Sequence, residues 1–179
     1  MRRAPLSGGG AGLADAPSSA ETARATRRLE RIELPDATPL PSAYAEADRR
    51  QAVADLLQDN SFDPSGIPGG PFVLRLMVRE GRLILDIRDG EDRPLRAVIL
   101  ALGPFRRLIK DYHLIVESHE RAVVEGGHEA RIQAIDMGRR GLHNEGAALL
   151  QERLRGRVSV DFETARRLFT LVCALHQRI

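Results

Sequence analysis

The sequence predicts an α+β fold: a small antiparallel β-meander of three to four strands covered by four or five helices, with a helical C-terminal half. Three observations carry this. Apolar residues alternate with polar ones from Phe72 to Arg88, the period of a strand with one buried face. After Gly103-Pro104 the period changes to that of a helix and stays helical almost to the end. Finally, 179 residues with 42% hydrophobic content suffice for one buried core.

Taken in order, Met1 to Arg27 is rich in Gly, Ala, Ser and Pro and offers no periodic apolar face to offset the entropy of ordering it. It reads as a disordered N-terminal extension, leaving residues 28–179 as one α+β domain. In Leu29 to Leu34, Ile32 and Leu34 alternate with Arg31 and Glu33 as in a half-buried strand, which Pro35 ends. Ser42 is a helix N-cap, and the helix it opens runs to Asp59 with Val53, Leu56 and Leu57 on one side. Residues 60–70 read as a loop anchored by Phe62, and Gly69-Gly70, with no following helix or Walker lysine, as a turn.

Phe72, Leu74, Leu76 and Val78 then alternate along a strand, Glu80-Gly81 reverses the chain, and Leu83, Leu85 and Ile87 return along a second. A third strand over Leu95 to Leu102 is apolar enough on both faces to predict a central position or one under helices. Proline suits a first helical turn, so Pro104 opens a helix with Phe105, Leu108, Ile109, Tyr112, Ile115, Val116 and His119 at helical spacing, which is expected to cover the sheet. Gly126-Gly127 ends it, and Glu129 to Asp136 begins another with Ile132 and Ile135 inward. Gly138 and Gly141 each cost roughly 1 kcal/mol relative to alanine inside a helix, which predicts a break there and a new helix near Gly141. Asp161 caps a last helix carrying Phe162, Ala165, Leu168, Phe169, Val172 and Leu175.

Charge and cysteine content bound the function. The 27 basic and 25 acidic residues give +2, but six arginines and three acids lie within the first 31 residues. The remaining 21 basic and 22 acidic residues leave the body neutral, so no nucleic-acid footprint is expected on it. Cys173 is the only cysteine, which excludes an intrachain disulfide or thiolate metal site and fits a reducing cytoplasm. No apolar run reaches membrane-spanning length, and Arg2-Arg3 precedes no signal-peptide hydrophobic region, so neither insertion nor export is expected.

The densest chemistry lies between Ile135 and Gly146, where Gly138 and Gly141 bracket Arg139 and Arg140, and His143, Asn144 and Glu145 follow. A helix starting near Gly141 would turn free N–H groups and two guanidinium forks toward one volume, an arrangement suited to phosphate or carboxylate. The candidate anion-binding set is therefore Arg139, Arg140, His143, Asn144 and Arg106, the last from the pair Arg106-Arg107. Arg166-Arg167 is a third pair. Adjacent helical residues point about 100° apart, so one member of each pair is expected to face a common centre. The alternative for all three pairs is helix-tying with Asp111, Asp136, Glu145, Asp161 or Glu163. His143 with Asp136 or Glu145 could also serve as a general acid or base. No catalytic residue is assigned, however, because no serine, cysteine or lysine nucleophile lies beside them. The five histidines lack His-x-x-x-His spacing, so no metal is expected.

Asn60-Ser61-Phe62, Gly69-Gly70-Pro71-Phe72, Pro104-Phe105-Arg106-Arg107, Lys110-Asp111-Tyr112, Ile135 to Gly146, and Val160-Asp161-Phe162 with Thr164 to Cys173 together resemble uncharacterised protein family 0262 of the UPF series. That family is alphaproteobacterial, and the resemblance covers roughly Leu29 to the C-terminus. It implies a cytoplasmic protein, with no established activity, no cofactor and no assigned catalytic residues. The residues themselves favour a non-catalytic binding or regulatory module that recognises an anionic small molecule or protein. The alternatives are a small hydrolase-like or transferase-like enzyme using His143, and a purely structural interaction protein.

Overall fold

In the computed structural model, which describes residue 22 and residues 26–176, the main sheet has four strands in the order β1-β3-β4-β5. β3 (Phe72–Arg79), β4 (Arg82–Arg88) and β5 (Pro94–Ala101) form the expected antiparallel meander. β1 (Leu29–Glu33) adds parallel to β3, the arrangement that a crossover through α1 (Ala43–Gln58) permits. Alternation sets the buried face: Leu83, Leu85 and Ile87 of β4 point into the core, opposite Val78, Leu76 and Leu74 of β3. Glu80 and Gly81 both take positive φ, as a two-residue hairpin requires.

Two strand expectations are corrected. β5 lies at the sheet edge, with Val98 and Leu100 buried but Leu95 and Ile99 exposed. Ile99 stands opposite Ile84, which stands opposite Met77, so its outward side chain packs within the open face of the sheet. Arg157 donates to the Ile99 carbonyl at 3.1 Å and so covers part of the free edge. In addition, Phe62–Pro64, expected as loop, forms β2 and pairs antiparallel with β6 (Val158–Val160) in a second, two-stranded sheet.

α1 begins where expected, because Ser42 accepts the Ala45 N–H. At its other end Asn60 donates to the carbonyls of Leu56 and Leu29 and accepts the Leu29 N–H at 2.6 Å, which ties α1 to β1. A 3-10 turn at Gly103–Phe105 leads into α2 (Arg106–Val124), and Gly126, at positive φ, follows its end. Asp161 caps α4 (Phe162–Leu175) by accepting the Thr164 N–H at 2.7 Å. From Leu168 to Ala174 every residue of α4 is buried, so this helix lies at the centre, against β3 and the other three helices.

The expected break in the third helix is absent. α3 runs unbroken from Glu129 to Leu154. Asp136 holds both Arg139 and Arg140 across Gly138, acid-first pairs at the spacing that stabilises a helix, and Leu142, Ala147, Leu150 and Leu154 bury the following turns. These gains offset the glycine cost. The glycine that matters for packing is Gly146, where an added Cβ would stand 2.2 Å from the Phe169 ring. Of the extension expected at residues 1–27, most lies outside the described residues. Thr26 and Arg27 are described and touch the body: the Arg27 carbonyl accepts the Phe62 N–H, and its guanidinium reaches Asp63.

Candidate functional site

Three helices meet around a cleft of 160 Å³. α1 contributes Asp48, Gln51, Ala52 and Asp55; α3 contributes Arg139 and His143; α4 contributes Arg166, Arg167 and Thr170. Helical spacing explains each set. Asp48 and Asp55 are two turns apart on one face, and Arg139–His143 and Arg166–Thr170 are one turn apart. Tyr112 of α2 closes the floor by donating to Asp48 Oδ2 at 3.2 Å.

Arg139 is held between two carboxylates. It donates to Asp48 Oδ1 at 2.8 Å and to Asp136 Oδ1 at 2.7 and 3.1 Å, and its guanidinium lies 5.9 Å from the centre of the Tyr44 ring. Burial pushes the Asp48 carboxyl above its usual range against the opposing pull of Arg139, whereas the Arg139 hydrogen bond holds Asp136 below its own.

His143 is only 2% exposed. Its ring stacks on Tyr112 at 5.6 Å between centroids and meets Phe169 edge-on at 6.2 Å. Burial first, and then the positive charges of Arg139 and Arg166, depress its pKa to about 3. The ring is therefore neutral at physiological pH, and its 3.8 Å separation from Asp48 Oδ2 is not an ion pair. Thr170 donates its hydroxyl proton to the Arg166 carbonyl at 3.1 Å, and its Oγ1 lies 3.4 Å from His143 Nδ1. Nε2 is buried without a hydrogen-bond partner.

Arg166 and Arg167 correct the expectation that one member of an adjacent pair faces a common centre. Both line the cleft, because long side chains bend across the angle between their Cα–Cβ bonds, and both donate through Nη1 to Glu163 Oε2, at 3.1 and 3.2 Å. Their Nε atoms are buried without a hydrogen-bond acceptor. Arg167 Nε does lie 3.3 Å from Asp55 Oδ2, close enough for charge attraction but without hydrogen-bond alignment. The lining thus carries three guanidiniums against two carboxylates, with a neutral imidazole between them.

Of the sequence-predicted set, Arg139 and His143 line this cleft. Arg140 is 65% exposed and holds Asp136, while Arg106 and Asn144 are exposed and outside the lining. The N–H groups expected to be free near Gly141 belong to a continuous helix and are spent on it. The acid beside His143 is Asp48, not Asp136 or Glu145; Glu145 pairs with Arg107. Sequence reasoning missed Asp48, Asp55, Thr170 and Tyr112 as site residues. The one available signal was the Arg166-Arg167 pair with Thr170 a turn later. Among the described residues, no group of three or more His, Cys, Asp or Glu could hold a metal ion, and no helix is long and apolar enough to cross a membrane.

Comparison with known proteins matches residues 26–178 to an uncharacterised protein family, UPF0262. The chain is 58% identical over 164 residues to a UPF0262 protein of Granulibacter bethesdensis, covering 87% of this chain and 93% of that one. It is 55% identical over 152 residues to a UPF0262 protein of Acidiphilium cryptum, covering 84% and 93%. A UPF0262 protein of Rhodospirillum rubrum is 59% identical over 133 residues, covering 74% and 81%. No solved structure matches.

Proposed function

The chain belongs to the uncharacterised protein family UPF0262, a membership that carries no activity with it, and we propose from the cleft that the protein is a non-catalytic module binding a small oxyanion. The observation that carries this reading is that Arg166 and Arg167 line the cleft together with Arg139, while the buried Nε–H groups of Arg166 and Arg167 make no hydrogen bond. Buried donors without acceptors cost free energy, and a carboxylate or phosphate oxygen would supply the missing bonds. The volume of 160 Å³ is below the range of roughly 300–1,000 Å³ typical of drug-sized ligand pockets, which favours a small anion over a nucleotide.

Catalysis is the weaker reading. A histidine held neutral down to about pH 3 has no proton to give near neutrality, and its low basicity makes it a poor proton acceptor. A purely structural role describes Arg139, whose donors are committed to Asp48 and Asp136. It does not account for the buried Nε–H groups of Arg166 and Arg167, which make no hydrogen bond.

The test is a thermal-shift series of the full chain with acetate, phosphate and sulfate, against chloride at matched ionic strength, for wild type and Arg166→Gln. A bound anion at 100 times its Kd stabilises the wild type by about 2.7 kcal/mol, and Arg166→Gln abolishes the response. No response to any of the three anions, or an equal response in the variant, overturns the reading.

A further inference from the structure

We infer that the protein pairs with a second copy of itself through the outer face of α3, the two α3 helices running antiparallel. Ala130, Ala134, Met137, Gly141, Asn144 and Ala148 are spaced alternately four and three residues apart, and all six are exposed and uncharged. That spacing keeps one stripe in line along a helix that winds around another. Arg139, His143 and Gly146 lie on the opposite side and turn into the body, so the stripe is independent of the cleft. A solvated helix face carries charge, as the exposed positions beside the stripe do in Arg131, Arg140, Glu145 and Glu152. Alanines alone would be ordinary helix formers on a wet face. Met137, however, exposes 73% of its surface, and Gly141 costs about 1 kcal/mol relative to alanine in an exposed helix.

Shape and charge together choose the occupant and its register. Met137 is the one large side chain on the stripe, and one turn on, a Cβ built at Gly141 would meet nothing within 4 Å. A two-fold axis near Arg139 sets Met137 of each copy over Gly141 of the other, Ala134 opposite Asn144, and Ala130 opposite Ala148. A parallel pair would stack the two methionines and leave the glycines facing a gap. Arg131 and Glu145 flank the stripe on the side of α2, where Glu125 holds Arg131 and Arg107 holds Glu145. The antiparallel register brings Arg131 beside Glu145 of the partner, so Arg107, Glu145, Arg131 and Glu125 follow in alternating sign at each end. Near the axis, Leu114 of α2 is 40% exposed and adds apolar surface next to Gly138 and Ile115. On the other flank Arg140 faces its own mate, each neutralised by Asp136 at 2.9 Å.

Sedimentation equilibrium of the full chain at neutral pH, over about 1 to 100 μM, is expected to show association to twice the chain mass. Ala134→Glu puts a charge in the stripe at an exposed position, so it weakens association at least about tenfold while the far-UV circular dichroism stays that of the wild type. Cross-linking reads the register, because the native Cys173 is buried. Ala130→Cys chains mixed with Ala148→Cys chains are expected to form a disulfide-linked pair on mild oxidation. Neither variant links to itself, since the two positions stand roughly 27 Å apart along α3. A wild type that stays monomeric throughout, or a folded Ala134→Glu that associates as tightly as wild type, overturns the inference. So does self-linking of Ala130→Cys, the mark of a parallel pair, or absence of the mixed species.

Discussion

Replacing Arg139 by alanine separates a packing arginine from a surface one, with Arg140→Ala as the adjacent control. The Arg139 side chain is 17% exposed and that of its partner Asp48 13%, and Arg139 also holds Asp136. Removing it strands the Asp48 carboxylate among Tyr112, His143 and the neighbouring helices. Breaking a buried pair from one side costs about 3–5 kcal/mol, and the residual exposure places this case near the lower end, about 3 kcal/mol. Arg140, at 65% exposure, makes one pair with Asp136 at 2.9 Å, an interaction worth about 0.2–1 kcal/mol. For a body of this size a loss of about 3 kcal/mol lowers the Tm by roughly 6–12 °C. Urea unfolding followed by far-UV circular dichroism at pH 7 gives both values. Adding Asp48→Asn removes the stranded charge, so Arg139→Ala is expected to cost at least about 1 kcal/mol less in that background. If Arg139→Ala and Arg140→Ala destabilise the protein to within about 0.5 kcal/mol of one another, the assignment of Arg139 to helix packing is wrong.

His143 makes stability pH-dependent: its folded pKa of about 3 lies below the ordinary 6.5, so the unfolded chain binds the extra proton between these values. Its contribution is complete above pH 6.5 and falls by about 1.4 kcal/mol per pH unit as pH drops toward 3. Asp48, with a raised folded pKa, has the opposite sign: its contribution is present below 3.8 and lost as pH rises through the folded value. The difference between wild type and His143→Gln should therefore shrink by about 2 kcal/mol between pH 6.5 and 5, and a flat difference in denaturant melts would show the ring is not held neutral. The α3 glycines should respond with opposite signs. Gly146→Ala drives a Cβ into the Phe169 ring and costs about 1–3 kcal/mol, whereas Gly141→Ala, with open space around it, gains up to about 1 kcal/mol. Equal effects in thermal melts would contradict the close α3–α4 approach. Deleting residues 1–25 should change stability by less than about 0.5 kcal/mol, and a loss above about 1 kcal/mol in the same melts would mean that the segment docks on the body.

The sequence by itself determined what depends on neighbours along the chain. Ser42 and Asp161 cap helices because each reaches an N–H three residues on, and Glu80-Gly81 turns the hairpin because its neighbours alternate. The apolar period of α2 likewise states which face is buried, whereas in α1 it marks Leu57 with Leu56 and only Leu56 is buried. Periodicity does not state which face it is buried against, and only the tertiary structure decided that. Phe62 in an expected loop became strand through pairing with Val160, and Ile99, in a strand expected centrally or under helices, became an exposed residue of an edge strand. Local glycine propensity predicted a broken α3, and packing with the Asp136 pairs outweighed it. The cleft shows the same division. Arg139 and His143 stood out by residue type, but Asp48 is 91 positions from Arg139, and Thr170 is 27 from His143. Arg166 and Arg167 differ from the other arginine pairs in that both line the cleft and both have Nε–H groups buried without a hydrogen bond. That distinction arises when three helices close over them, because desolvation is a property of the packed assembly and leaves no mark on residue order.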